Sequence, residues 1–185
     1  MKDNYTKCLT MVLEHEGKFS DHPSDSGGAT MKGVTLNVFR AFYGDDKTVE
    51  DLKNITQSQL SHIYKIGYWN KCQCDSLPSG IDYAVFDAAI MSGPHRSVKW
   101  LQEVVDTVPD GIVGIKTITA TKRLKPQVVA SELVQKRLDF LEKLSNYDVF
   151  GRGWRRRVRT VSRVAQSMSI CCSKTDMDAI AKGIT

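Results

Sequence analysis

The first helix of this chain runs into a carboxylate that its own periodicity turns inward. Tyr5, Cys8, Leu9, Val12 and Leu13 recur at three- and four-residue spacing, the pattern of an amphipathic helix. Glu16 falls on the same stripe, three residues after Leu13 and four after Val12, and Gly17 is the expected stop. Desolvation and the negative end of a helix dipole both favour the neutral form of a carboxyl group in such a place. A carboxyl group that holds its proton is what general-acid cleavage of a glycosidic bond requires. Position alone still favours a plainer role, a boundary glutamate paired with a lysine or turned to solvent. The residues that follow shift the balance.

Asp21 and Asp25 sit in a segment broken by Pro23 and Gly27-Gly28, which must turn sharply. The β-branched Thr30, Val34 and Thr35 predict a short extended pair around Gly33, a very small β element near residues 28–36. The string from Glu16 to Thr35 resembles the signature of glycoside hydrolase family 108, the bacterial and phage N-acetylmuramidases. Glu16 matches the catalytic glutamate of that family, and Gly17, Asp25, Gly27, Gly28, Thr30, Gly33 and Thr35 match its framework. Lys18 stands where the family has a second glycine, and Asp21-His22 where it has an Asn-Asp pair. Both departures lie near the acid without touching it.

The resemblance implies a mainly α, lysozyme-like α+β fold, a helical bundle-like domain with that one β element. It also implies hydrolysis of the β-1,4 bond between N-acetylmuramic acid and N-acetylglucosamine in peptidoglycan. Glu16 would protonate the leaving oxygen. Asp25 would stabilise the oxocarbenium-like charge or orient water, and Thr30 would help position that water. Tyr64, Tyr68 and Trp69 resemble a family Tyr-x-x-x-Tyr-Trp segment, and Tyr68 and Trp69 are candidates to stack on sugar rings. Asp87, on the helix opened by Ser79-Gly80-Ile81, matches a family aspartate and is a further substrate-binding candidate, although a buried hydrogen-bonding role suits it as well. Met91 replaces the asparagine that follows in the family.

From Asp87 onward the chain resembles the predicted peptidoglycan-binding region that accompanies this motif. Its Asp110-Gly-Ile-Val-Gly-Ile-Lys-Thr117 element also reads as a turn with Thr117 as a helix N-cap. The expected organisation is a lysozyme-like catalytic region over 1–86 and a helical peptidoglycan-binding-like region over 87–185. No Pro/Gly/Ser-rich linker separates them, so one packed unit is expected.

Composition bounds the remaining choices. Hydrophobic residues make up 41% of the 185 and charged residues 25%, which suits a globular domain and excludes a low-complexity chain. No apolar run approaches membrane-spanning length. Residues 1–16 mix charges among apolar positions without a cleavage pattern, so no signal peptide is expected. The economical setting is then a phage endolysin that accumulates in the host cytoplasm and reaches the wall through a lesion made by another protein. The five cysteines include Cys72-x-Cys74 and adjacent Cys171-Cys172, poor zinc spacings, so neither metal nor other cofactor is expected.

The formal charge of +5 fits polyanion partners. Its most pointed source is the last helix, expected to begin near Gly153-Trp154, where Trp154, Val158, Val161, Ala165 and Met168 form one apolar stripe and Arg156, Arg159 and Arg163 face the other way. Those arginines are candidates to bind anionic wall polymer, lipopolysaccharide or a membrane surface; no nucleic acid is expected, and a monomer is. The alternatives are a non-catalytic wall-binding protein and a cationic membrane-binding one.

Overall fold

The computed structural model describes residues 4–21 and 28–181, with 171–181 as backbone only. These residues are mainly helical, and their β structure is the small element expected near residues 28–36 with one further bridge from Thr30 to Ser20. The chain divides into two compact units, Tyr5–Gly67 and Tyr68–Thr185 joined by Met1–Asn4.

In the smaller unit, α1 (Asn4–Leu13) buries Tyr5, Cys8, Leu9 and Val12, the stripe that its spacing predicts. The helix ends at Leu13, one turn short of Glu16. His15 and Glu16 then continue on three-residue turns, with their N–H groups donating to the carbonyls of Val12 and Leu13. Strands β1 (Thr30–Met31) and β2 (Val34–Thr35) pair antiparallel, Thr30 opposite Thr35. Lys32 and Gly33 between them have φ of 48° and 77°, the left-handed pair of a two-residue hairpin turn. Thr35 caps α2 (Leu36–Tyr43) by accepting from the Val38 N–H, and Gly44 closes that helix at φ 112°. Helix α3 (Val49–Lys53) packs on α2 and β1. Helix α4 (Gln57–Tyr64) opens with the Thr56/Gln59 capping box that its sequence announces, and buries Leu60, Ile63 and Tyr64.

A π-helical turn at Lys65–Trp69 and a 3₁₀ turn at Cys74–Ser76 lead to the centre of the larger unit. This is α5 (Ile81–Ser92), in which every residue from Ile81 to Ala89 is buried. Around it pack α6 (Pro94–Val104), α8 (Pro126–Leu141) and α9 (Tyr147–Ala181), while α7 (Ile115–Arg123) lies against α8. Gly80 enters α5 at φ 89°, and a β-carbon there would run into the Ala165 carbonyl and the Ser169 hydroxyl of α9. Glycine is what lets α9 lie this close to the start of α5.

Three sequence expectations shift. The units meet at Gly67/Tyr68, whereas a boundary at 86/87 falls inside the continuous buried helix α5. Thr117 is not an N-cap: Gly114 holds that position for α7, and the Thr117 hydroxyl is buried against the Gln102 amide. Gln102 ties the whole Asp110–Thr117 loop, donating to Asp110 Oδ1 at 2.7 Å and the Ile112 carbonyl at 3.0 Å, and accepting from Gly111 N–H. Finally, the last helix starts at Tyr147, ahead of the Gly153-Trp154 expected to open it.

Candidate active site

Glu16 stands directly after α1 on a turn whose geometry continues the helix, so the buried stripe of α1 fixes where its side chain leaves the backbone. Its carboxyl group meets the tip of the hairpin. A β-carbon placed on Gly33 would lie 2.8 Å from Glu16 Oε2 and 2.5 Å from the Tyr64 hydroxyl oxygen, both inside van der Waals contact. The bare Gly33 α-carbon is therefore the floor against which both oxygens sit. The Tyr64 hydroxyl donates to the Lys32 carbonyl at 2.8 Å, which ties α4 to the same turn. Gly17 has no comparable demand, since nothing stands within 4 Å of the place of its β-carbon and its φ is not positive. Of the two glycines beside the acid, only Gly33 is required by space.

Thr30 lies on β1, its backbone bridged to Ser20 on the segment that leads away from Glu16. Its hydroxyl donates to the Gly28 carbonyl at 3.1 Å and so braces the end of the glycine loop. The oxygen keeps lone pairs with which to accept from water. Asp25 falls outside the described residues.

The two aromatic candidates part company. Tyr68 is half-buried. Trp69 is fully buried, with its indole N–H donating to Asp75 at 3.0 Å and its ring edge-on to Phe86 at 5.2 Å between centroids. It cannot stack on a sugar, and the expectation is corrected: the π turn breaks the 3.6-residue register and delivers Trp69 into the core of the larger unit. Asp87 is corrected likewise. Its carboxylate has no solvent exposure and is gripped by Arg137 of α8 at 2.5 Å and Arg157 of α9 at 2.8 Å. Burial works against its charge, but the two guanidinium groups prevail and hold its pKa below the usual carboxylate value. It is the charged centre of a structural triad, with no surface left for substrate.

Arg156, Arg159 and Arg163 are exposed on α9, opposite the buried Val158, Val161, Ala165 and Met168. With Arg152 and Arg155 they line an open groove of about 780 Å³ that begins at Tyr147. Arg155 is engaged, donating to the Tyr147 hydroxyl near Glu142.

Tyr64 is the residue that sequence reasoning missed as part of the site. It was legible only as one more aromatic on a buried stripe. The available signal was its hydroxyl, because a buried tyrosine needs a partner that phenylalanine does not.

The glycosyl hydrolase 108 model matches residues 9–93, a span that contains the second half of α1, Glu16, the hairpin and all of α5. No curated protein matches the chain. Among solved structures it is similar to that of Brucella abortus SagA, with 39% identity over 91% of this chain and 97% of that one, at a TM-score of 0.83. With the motif, the hairpin that cradles Glu16 and a likeness over nearly the whole length, this chain belongs to the glycosyl hydrolase 108 family.

Proposed function

We propose that this glycoside hydrolase is an N-acetylmuramidase that cleaves the β-1,4 bond between N-acetylmuramic acid and N-acetylglucosamine, with Glu16 as general acid. The observation that carries the proposal is the Glu16 carboxyl group, set against the hairpin glycine at the end of a buried helix stripe. Glu16 transfers its proton to the glycosidic oxygen as the bond to the muramic acid anomeric carbon breaks. Positive charge then develops on that sugar ring. Asp25, nine residues on, is the proposed group that stabilises this charge or orients the attacking water, and the Thr30 hydroxyl is proposed to accept from that water. Water adds to the anomeric carbon and its proton returns to a carboxylate.

Product analysis tests the bond. Digests of purified peptidoglycan are expected to carry new reducing ends on N-acetylmuramic acid, without new free amines and without 1,6-anhydro sugar. Reducing ends on N-acetylglucosamine would make the protein a glucosaminidase, and an anhydro product would make it a lytic transglycosylase. The proposed setting is that of an endolysin, acting on the wall after release through a separate membrane lesion.

The arginine face of α9 supports attachment to the wall. Arg152, Arg156, Arg159 and Arg163 follow one another at four- and three-residue steps, and among the described residues no carboxylate pairs with them. Like charges so spaced on a helix repel by some 0.2–0.5 kcal/mol per pair, a cost that a bound polyanion relieves. Guanidinium forks match carboxylate and phosphate alike, and the proposed occupant is the anionic polymer of the wall. Changing Arg156, Arg159 and Arg163 together to Gln is expected to leave folding intact, weaken binding to whole walls and flatten its salt dependence, because exposed charges are screened beyond about 8 Å at physiological ionic strength. Activity on short soluble fragments should hold. Wall binding with an unchanged salt profile would reduce these arginines to a solvated face.

A further inference from the structure

We propose that Tyr64 is a positioning residue for the Glu16 carboxyl group, acting together with the hairpin turn Lys32-Gly33. The inference rests on Glu16 being the acid, but it comes from a different set of contacts. Three chain segments converge on one point, the place that a Gly33 β-carbon would occupy. From the end of α1 comes Glu16 Oε2, 2.8 Å from it, and from α4 the Tyr64 hydroxyl oxygen, at 2.5 Å. The hairpin supplies the glycine itself, held at φ 77°. Lys32, a residue with a β-carbon, also accepts a left-handed φ of 48°, and its carbonyl receives the Tyr64 hydroxyl. That hydrogen bond fixes the turn in the conformation that presents a bare α-carbon to the acid.

The tyrosine ring is almost fully buried and cannot swing to follow a moving carboxyl group. Its hydroxyl can donate one proton and accept at its lone pairs. Donating to the Lys32 carbonyl orients that hydroxyl, and with it the lone pairs that it turns elsewhere. A general acid must deliver its proton along one direction, and misplacement by about 1 Å can cost on the order of 100-fold in rate. Tyr64 and Gly33 supply that direction here, one as a polar brace and the other as a gap.

Tyr64→Phe keeps the ring and removes the brace. In the full-length protein, kcat on soluble muropeptide chains is expected to fall about 10- to 100-fold while KM stays within about twofold, the pattern of a lost transition-state interaction. Gly33→Ala, which pushes on the same point from the hairpin, should do at least as much. Glu16 carries an independent readout: the NMR signal of its side-chain carboxyl carbon, in protein labelled at glutamate and assigned by comparison with Glu16→Gln, should move in both variants. Circular dichroism and thermal unfolding establish that each is folded, and either variant alone suffices for the test. If Glu16→Gln is inactive while Tyr64→Phe keeps wild-type kcat, Tyr64 does not position the acid and the proposal falls. An unmoved Glu16 signal overturns it whatever the activities are. If instead Glu16→Gln stays active, the choice of acid fails, and a shifted signal still shows Tyr64 bracing that carboxyl group.

Discussion

Glu16→Gln is expected to abolish hydrolysis of purified peptidoglycan, lowering kcat/KM by about 10²- to 10⁴-fold or more. Glutamine has the shape of glutamate, so its amide occupies the same place beside Gly33 and the Tyr64 hydroxyl. What it lacks is a proton that can be given to a leaving oxygen. Thermal stability should stay within about 1 kcal/mol of wild type, or improve, because functional carboxyl groups held against a protein wall are commonly stability liabilities. The two measurements must be read together. A dead and folded variant identifies the acid, whereas near-wild-type lysis would remove Glu16 from the mechanism. Asp25→Asn belongs beside it: a loss nearly as large makes Asp25 essential to the charge or the water, and a small loss leaves it an orienting role.

How far the sequence carried the fold differs from element to element. The helix Leu36–Tyr43 and its closing Gly44, the capping box at Thr56 and Gln59, and the hairpin around Gly33 were all legible. Each is set by local chemistry: a cap that accepts a backbone N–H, a glycine at positive φ, a pair of β-branched strands. Trp69 was not legible as core, because helical spacing gives the same reading for a ring that faces a groove and one that faces inward, and a π turn then resets the register. Nor was the second partner of Asp87. Arg137 could be suspected because it interrupts an apolar face, but Arg157 lies 70 residues from Asp87 in a run of arginines, where nothing local marks it as the one turned inward. The site divides in the same way. Glu16 followed from one helix stripe and a motif, while Tyr64 depends on α4 meeting a hairpin 32 residues earlier.

The largest stability effect should come from Asp87. Arg137 and Arg157 are buried against this one carboxylate, and Arg137 Nε has no hydrogen-bond partner among the described residues. Asp87→Ala takes from two buried guanidinium groups the carboxylate that they share, which costs about 3–5 kcal/mol for a buried pair and threatens the fold of a domain with only about 5–15 kcal/mol in hand. Replacing Arg137 by Met in the same chain should recover part of that loss, because one of the two buried charges goes with it. A substrate-binding Asp87 would behave otherwise, leaving the unfolding midpoint in place and raising KM. The pH dependence has a sign of its own. The pKa of Asp87 is lowered in the fold, so its stabilisation is present above the ordinary carboxylate range and is lost as pH falls through the folded value. Asp82 works in the opposite sense. Burial outweighs its hydrogen bonds from Asn4, Tyr83 and Gly80 and pushes its pKa up from 3.8 to about 6. Its contribution is therefore full below pH 3.8 and is lost as pH rises through about 6. Denaturant midpoints measured from pH 3 to pH 8 should thus decline on both sides, the acid limb shrinking in the Asp87→Ala, Arg137→Met protein and the limb between pH 4 and 6 remaining. An acid limb unchanged in that double variant would mean that other carboxylates, and not the triad, set the acid stability of the larger unit.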